Sequence, residues 1–249
     1  MQTAVRKSSL IRGVSCAILV GGESKRIGKD KAGVEFLGKT LFMRVFDVAS
    51  LIFKDIMVSA HTPDHPMGKP IPGLTSKGLT AKGLTAKKLR LIPDTLPGRG
   101  PALGVCSALK NSRNPWVFVL ACDMPMVSKR LIRHISGLRK GYDCVAPVAG
   151  HQVQTLFALY KKTCLEPLAR RVKEGRRGIE GFLKESKDLR VRYVTERELK
   201  ETDPDFKKSF MDVDTIKELK KAESMFEKTA SFPKRRGTHA KHGLGRLKG

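Results

Sequence analysis

The chain has 249 residues, 40% of them hydrophobic, and a formal net charge of +25. That length holds one large α/β domain or two small ones, with enough apolar residues for a folded core. No apolar run approaches the roughly 18 residues of a membrane span. The five cysteines, an odd number without CxxC spacing, exclude a disulfide framework or zinc knuckle and predict buried thiols in a reducing compartment.

Arg6, Lys7 and Arg12 before a short apolar run faintly mimic a signal peptide. The run ends in glycines and charges rather than a small-residue cleavage site, so a cytoplasmic protein is expected. Most of the excess charge sits in three segments without an acidic residue. Residues 1–13 carry +3, residues 68–90 carry +6 and residues 229–249 carry +6. The body that remains is still basic, which suits polyanionic small substrates. A nucleic-acid partner is not expected, because one Trp, three Tyr and no recognised binding motif accompany the charge.

The first predicted element is the apolar run from Cys16 to Val20. It breaks at Gly21 and Gly22, and Lys25, Arg26, Lys29 and Lys31 follow closely. An apolar run bounded by glycine predicts a buried strand ending in a loop. Paired glycines let the backbone approach a ligand and take positive φ. Backbone N–H groups in such a turn cradle an anion that the cations neutralise. A polyphosphate site at the carboxyl end of the first strand is therefore expected. Two commoner phosphate loops do not fit. Five residues separate Gly22 from Gly28 and Asp30 follows Lys29, against the Walker A pattern, while adjacent glycines do not make the dinucleotide fingerprint.

From Lys39 to Ile52, Leu41, Phe42, Val45, Phe46, Ala49 and Ile52 recur at helical spacing. Asp55 to Ala60 predicts a second strand, giving the β-loop-α-β unit of a parallel sheet. Residues 61–90 contain four prolines and three copies of a five-residue unit, GLTSK at 73–77 and GLTAK at 78–82 and 83–87. Three short polar units are too few for a solenoid core, and recurrent glycine weakens a helix. A flexible insertion at about residues 66–88 is expected.

Leu89 to Ile92 predicts a strand leading to Asp94. PGRGPALG, from Pro97 to Gly104, opens a helix through Lys110, with proline where its missing N–H is not needed. Trp116 to Cys122 is apolar throughout and predicts a central strand covered on both faces. A helix from Ser128 to Arg139 follows, capped by Ser128. Strands are expected from Asp143 to Pro147 and from Val153 to Tyr160, the second antiparallel because its connection is short. A helix from Thr163 to Lys173, the basic loop GRRG at 175–178, a short helix and a strand from Arg190 to Val194 come next. An extended segment from Phe210 to Asp214 and a helix from Thr215 to Glu227 close the folded part. Residues 229–249 lack periodicity and read as a disordered tail, leaving one domain over residues 1–228.

Asp123 follows the most apolar strand, at the carboxyl edge where open α/β sheets bind ligands. The opening loop occupies the same edge. A carboxylate facing a triphosphate there suits Mg²⁺, which takes oxygen ligands and substrate phosphates. The plainer alternative is a capping or solvated aspartate. Asp212 and Asp214, in MDVDT, put two acids on one face of an extended segment. One of them completes the metal shell, or caps the last helix.

The opening stretch resembles the signature of the molybdenum cofactor nucleotidyltransferases, roughly LAGGxSxRMGxDK, through Leu19, Gly21, Gly22, Ser24, Arg26, Gly28, Asp30 and Lys31. GPALG at 100–104, ACDMP at 121–125, GRRG at 175–178 and FMDVDT at 210–215 resemble later segments of that family, and the forms at 100–104 and 121–125 point to its guanylyl-transferring branch. The resemblance covers roughly residues 14–225. It implies a three-layer, Rossmann-like, doubly wound, mostly parallel sheet of the nucleotide-diphospho-sugar transferase type. It also implies transfer of GMP from GTP to molybdopterin with Mg²⁺, and acceptor molybdoenzymes or their chaperones as partners. Leu19, Val20, Gly21 and Gly22 would contact GTP through the backbone, and Lys31 would meet its phosphates. Ser59 and Asp94 would hold the nucleoside, Asp123 would bind GTP and Mg²⁺, and Arg26 would stabilise the leaving pyrophosphate. Arg176, Arg177, Asp212 and Asp214 would face the acceptor. Ser59 stands where asparagine is common, Asp212 and Asp214 where asparagines are usual, and Thr155 where proline is expected. A cytidylyl or sugar-phosphate nucleotidyltransferase would share this architecture.

Overall fold

The computed structural model describes residues 10–20, 23–24, 29–30, 33–60, 74–75, 78–79, 89–93, 95–96 and 100–230. Gly21, Gly22, Arg26, Lys31 and Asp94 lie outside the described residues, as do most of the repeat and residues 231–249 of the tail.

An eight-stranded sheet organises the chain. Its strands are β1 (Val14–Val20), β2 (Ile56–Ala60), β3 (Leu89–Pro93), β4 (Trp116–Ala121), β5 (Cys144–Ala149), β6 (Gln152–Val153), β7 (Phe157–Lys161) and β8 (Val191–Val194). β1 sits in the middle, parallel to β2 on one side and β4 on the other, and β3 extends the parallel part beyond β2. β7 pairs antiparallel with β4 and with β5, and β8 returns parallel to β5. The sheet is thus parallel at its centre and mixed toward the β8 side.

Helices cover both faces. They are α1 (Leu41–Ser50), α2 (Pro101–Asn111), α3 (Lys129–Gly137), α4 (Leu165–Lys173), α5 (Ile179–Glu185), α6 (Glu196–Thr202) and α7 (Ile216–Ala230). Alternation along β1 shows why three layers form. Cys16, Ile18 and Val20 pack with Phe42 and Phe46 of α1, Leu131 of α3 and Leu199 of α6. Ala17 and Leu19 pack with Leu103 of α2, Leu168 of α4 and Phe182 of α5. Every β1 residue is buried, as expected of a central parallel strand. All five cysteines are free and buried.

Several elements differ from the sequence expectation. The first helix begins at Leu41, because Lys39 and Thr40 pair with Glu35 and Phe36 in a two-stranded ribbon. Leu37 (φ 48°) and Gly38 (φ 74°) form its turn, the positive-φ pair that a two-residue hairpin favours. Leucine tolerates this because the Arg44 guanidinium holds the Phe36 and Leu37 carbonyls. Thr40 then caps α1 by accepting from the Met43 N–H at 3.2 Å. The stretch after β1 is more than a loop, since Glu23–Ser24 pairs antiparallel with Lys29–Asp30. Within the repeat, Leu74–Thr75 pairs with Gly78–Leu79.

The strand expected from Val153 to Tyr160 is split into β6 and β7. Register along β5 slips by three residues between Val148↔Val153 and Cys144↔Tyr160, so residues 154–156 bulge outward. The buried Tyr160 hydroxyl donates to the Thr155 carbonyl inside this bulge at 2.7 Å. The extended segment begins later than expected, because Phe206–Phe210 forms a 3₁₀ turn. Helix α6 was not foreseen, although Thr195 and Glu198 form a capping box at its start.

At the amino-terminal edge of the sheet, a polar cluster ties three parallel strands and the end of α2 together. The Ser15 hydroxyl donates to Asp55 at 2.6 Å and accepts from the Asn114 amide at 3.0 Å. Arg90 donates twice to Asp55, at 2.9 and 3.1 Å, and also to the Asn111 carbonyl. Burial pushes the Asp55 carboxyl up, but hydrogen bonds from Arg90 and Ser15 and the Arg90 charge outweigh it, so its pKa lies below the ordinary value. A carboxyl with a depressed folded pKa contributes stability that is complete above its unfolded pKa, about 3.9, and is lost as pH falls through the folded value. We expect Asp55→Asn to cost roughly 1–3 kcal/mol at pH 7. The gap in melting temperature from the parent chain should narrow below about pH 4, and thermal melts from pH 3 to 7 check this. A gap independent of pH would show that the charge of Asp55 contributes nothing.

Candidate active site

Parallel register aligns the carboxyl ends of the central strands. Leu19 lies opposite Ser59 on one side and Ala121 on the other, and Ser59 lies opposite Ile92. Beyond β4, the Cys122 N–H donates to the Leu19 carbonyl at 3.1 Å. This bond carries the pairing one residue past the strand and fixes Asp123 beside the exit of β1. Val20 is buried at the same exit, Ser59 is buried, and Asp123 is half-buried.

The Asp123 carbonyl accepts from the Val213 N–H at 3.0 Å, which draws the MDVDT segment onto this edge. Val213 is fully buried against Val34, Phe36, Leu41 and Ala222. Asp212 and Asp214 flank it, the first exposed and the second half-buried. Neither needs to cap α7. Thr215 takes that role, accepting from the Glu218 N–H at 3.2 Å, while the Glu218 carboxylate accepts from the Asp214 N–H at 2.9 Å. Asp123 does not cap α3 either, because the Ser128 hydroxyl accepts from the Leu131 N–H. The caps observed on α3 and α7 are thus Ser128 and Thr215.

Helix α2 closes the site on one face. Gly100 enters with φ 128° and Pro101 opens the helix without a side-chain cap. Pro101 has no N–H and the Leu103 N–H donates to the Gly100 carbonyl at 3.2 Å, so this helix start is closed largely by its own backbone. One turn on, Gly104 lies so close to the sheet that a Cβ there would meet both Leu19 methyls at 3.2 Å and the Ser59 hydroxyl at 3.6 Å. Gly104 and Val213 are positioning residues that sequence reasoning missed. A glycine inside a helix, and an apolar residue between two acids, were the available signals.

Other expected residues fall elsewhere. Arg176 lies in the exposed loop between α4 and α5, and its ion pairs run back to Glu174 and Glu185 of the same hairpin. Arg177 is next to it, and the structure does not join this loop to the Asp123 segment through any of these pairs. The Thr155 N–H donates to the Val153 carbonyl at 2.9 Å, a bond that proline could not make. That accounts for the departure at this position.

The side chains present suit a Mg²⁺ ion more than a structural metal. Among the described residues no group of three or more His, Cys, Asp or Glu is assembled for a metal. The Asp123 edge therefore offers only one or two carboxylates, leaving most positions for phosphate and water oxygens, which is how Mg²⁺ is commonly bound. Among the described residues no helix is long and apolar enough to cross a membrane.

The carboxyl edge of a parallel sheet, where open α/β sheets bind nucleotides, thus carries Asp123 beside the end of β1. Comparison with known proteins agrees. The model of the MobA-like NTP transferase domain matches residues 16–191, and the chain belongs to that family. A molybdenum cofactor guanylyltransferase of Desulfosudis oleivorans is 31% identical over 213 residues, which span 85% of this chain and 95% of that protein. A probable molybdenum cofactor guanylyltransferase of Pelotomaculum thermopropionicum is 30% identical over 210 residues, 84% of this chain and 92% of that one. The crystal structure of molybdopterin-guanine dinucleotide biosynthesis protein A from Archaeoglobus fulgidus superposes with a TM-score of 0.69 at 26% identity. It covers 86% of this chain and 99% of that one.

Gly104→Ala tests the α2 contact. The gain in helix propensity, about 1 kcal/mol, offsets an overpacking cost of about 1 kcal/mol, so the melting temperature should change little. Leu19 must yield to the new methyl, and nucleotide binding should weaken several-fold. Thermal melting beside calorimetric titration checks the pair of outcomes.

Proposed function

We propose that the enzyme transfers GMP from GTP to molybdopterin, forming the guanine dinucleotide cofactor and releasing pyrophosphate. The observation that carries the reading is the Cys122 N–H to Leu19 carbonyl bond, which sets the proposed metal ligand beside the proposed nucleotide loop. The names borne by the relatives at about 30% identity supply the nucleotide and the acceptor. Leu19, Val20, Gly21 and Gly22 hold the nucleotide through the backbone, and Ser59 and Asp94 hold its nucleoside. Lys31 and Arg26 meet the phosphates, and Asp212 and Asp214 face the acceptor, with Arg176 and Arg177 assigned to it from sequence alone. The acceptor phosphate oxygen attacks the α-phosphorus of GTP. One P–O bond forms, the bond to the β-phosphate bridging oxygen breaks, and the electron pair leaves with pyrophosphate. The nucleophile is already ionised at pH 7, so no general base is required.

Positioning and charge neutralisation therefore carry the rate. Asp123 would hold Mg²⁺, which supplies Lewis-acid stabilisation of the charge developing on phosphate oxygens. The cytoplasm is the proposed compartment.

Asp123→Asn tests the assignment. The fold should persist because the shape is nearly unchanged. Metal-dependent transfer should fall at least about a hundredfold, roughly 2.7 kcal/mol. GTP affinity without metal should hold or rise slightly, since a negative charge near the phosphates is gone. Turnover near the parent rate would sink the metal-ligand role. In the parent chain, calorimetry should rank GTP above ATP, CTP and UTP, and a preference for CTP would move the reading to cytidylyl transfer.

A further inference from the structure

A second cleft lies at the opposite edge of the sheet. It has a volume of about 480 Å³ and is lined by Trp116, Gly137, Arg139, Lys140, Gly141, Tyr142, Lys161 and Arg190. Trp116 opens β4, while Leu19 and Asp123 lie at the other end of that strand. The two sites are thus separated by about 20 Å.

The walls are tied together by backbone hydrogen bonds. Trp116 lies opposite Lys161 in the sheet. The Asp143 N–H donates to the Arg190 carbonyl at 2.7 Å, the Lys161 N–H to the Asp143 carbonyl at 2.8 Å, and the Lys162 N–H to the Pro115 carbonyl at 2.9 Å. Four cations line the cleft and no carboxylate does. The nearest acid, Asp143, is a buried neighbour that takes Lys161 at 3.4 Å and Arg190 at 3.9 Å. Its oxygens also accept from the Thr163 hydroxyl and the Arg190 N–H. One carboxylate behind the wall thus serves a cleft with four positive charges. Arg190 remains largely exposed, with 70% of its side chain open to solvent.

Size, charge and aromatic lining all bear on the ligand. The volume matches a small-molecule pocket of 300–1,000 Å³. Guanidinium and ammonium groups together recognise phosphate. Of the aromatic residues in the wall, Tyr142 is partly exposed beside those cations, whereas Trp116 is 8% exposed and reports on the cleft from its wall. We infer that this cleft binds a phosphate-bearing ligand of nucleotide size, at a site separate from the transfer edge. A concave pocket favours a small molecule over the long basic stripe that a nucleic acid requires. The inference does not depend on which group the enzyme transfers.

Trp116 is the only tryptophan of the chain, so its fluorescence reports on this cleft directly. The full-length protein is titrated with ATP, with inorganic pyrophosphate and with poly-glutamate, at about 0.1 M salt, where surface charges are screened beyond about 10 Å. We expect ATP to change Trp116 emission saturably, with pyrophosphate weaker. The double variant Lys140→Glu, Arg190→Glu should raise the apparent dissociation constant for ATP at least tenfold. Asp123→Asn should leave it unchanged. Circular dichroism confirms that the double variant is folded, and if it is not, Arg190→Gln alone replaces it, with a smaller loss expected. A linear, unsaturable change overturns the inference, as does a dissociation constant that the charge reversal leaves unchanged. Saturation by poly-glutamate but not by ATP also overturns it and makes the cleft a docking point for an acidic protein.

Discussion

The constraint on which the rest depends is the parallel pairing of β1 on both sides. A strand flanked by two parallel partners has no freedom of register once its alternate residues are buried on both faces, because a slip of one residue exchanges the two cores. Here Ile18 belongs to one core and Leu19 to the other. The carboxyl end of β1 is therefore held level with Ser59 and Ala121. Everything at the site hangs from that alignment. Cys122 reaches Leu19, Asp123 follows, and Val213 joins Asp123 through one backbone bond. The chain brings residues 19, 59, 123 and 213 together without any of them being close in sequence.

The two edges of the sheet divide the work. At the amino-terminal edge, Ser15, Asp55, Arg90 and Asn114 satisfy one another, so the polar groups there hold strands together. At the carboxyl edge Asp123 is half-buried beside a buried Ser59, and α2 begins without a side-chain cap. A half-buried carboxylate at the carboxyl end of a parallel sheet stands where open α/β sheets bind ligands.

Much of this was legible in the sequence, for identifiable reasons. WVFVLAC reads as a central strand because it is apolar on both faces, and Asp123 is placed by the end of that strand alone. The core helices follow from apolar spacing, and Ser128 from cap chemistry. What was not legible depends on tertiary contacts. The bulge at residues 154–156 exists because a buried Tyr160 hydroxyl needs an acceptor, and Thr155 supplies it. The later start of α1 follows from a hairpin turn that Arg44 stabilises from one turn further along. The capping residue of α7 could not be chosen among Asp212, Asp214 and Thr215 without seeing which backbone N–H each one meets. Arg176 shows the opposite limit, since a motif can be recognised while one of its side chains pairs locally with Glu174 and Glu185.

The acids at the carboxyl edge are informative because the chain is otherwise so basic. On the proposed reading, a triphosphate brings several negative charges to the edge that carries Asp123, with Asp212 and Asp214 on the segment that Val213 ties to it. Two like charges about 6 Å apart repel by roughly 0.7 kcal/mol in water, and about four times more at the effective dielectric of a protein surface. Carboxylates that close would therefore weaken an anionic substrate appreciably if they acted alone. Their presence makes physical sense only if cations lie between them and the phosphates, and the chain places Lys25, Arg26, Lys29 and Lys31 in the segment that leaves β1. Those single charges are suited to binding the phosphates and to the departure of pyrophosphate. A carboxylate adds nothing to either, so on the proposed reading its value is to hold a divalent ion against the oxygens where charge grows. The surplus of cations over the rest of the chain cannot substitute for this, because charges beyond about 10 Å are largely screened at physiological salt. On the proposed reading, net charge serves the encounter with an anionic substrate, whereas the acids at the edge serve the chemistry.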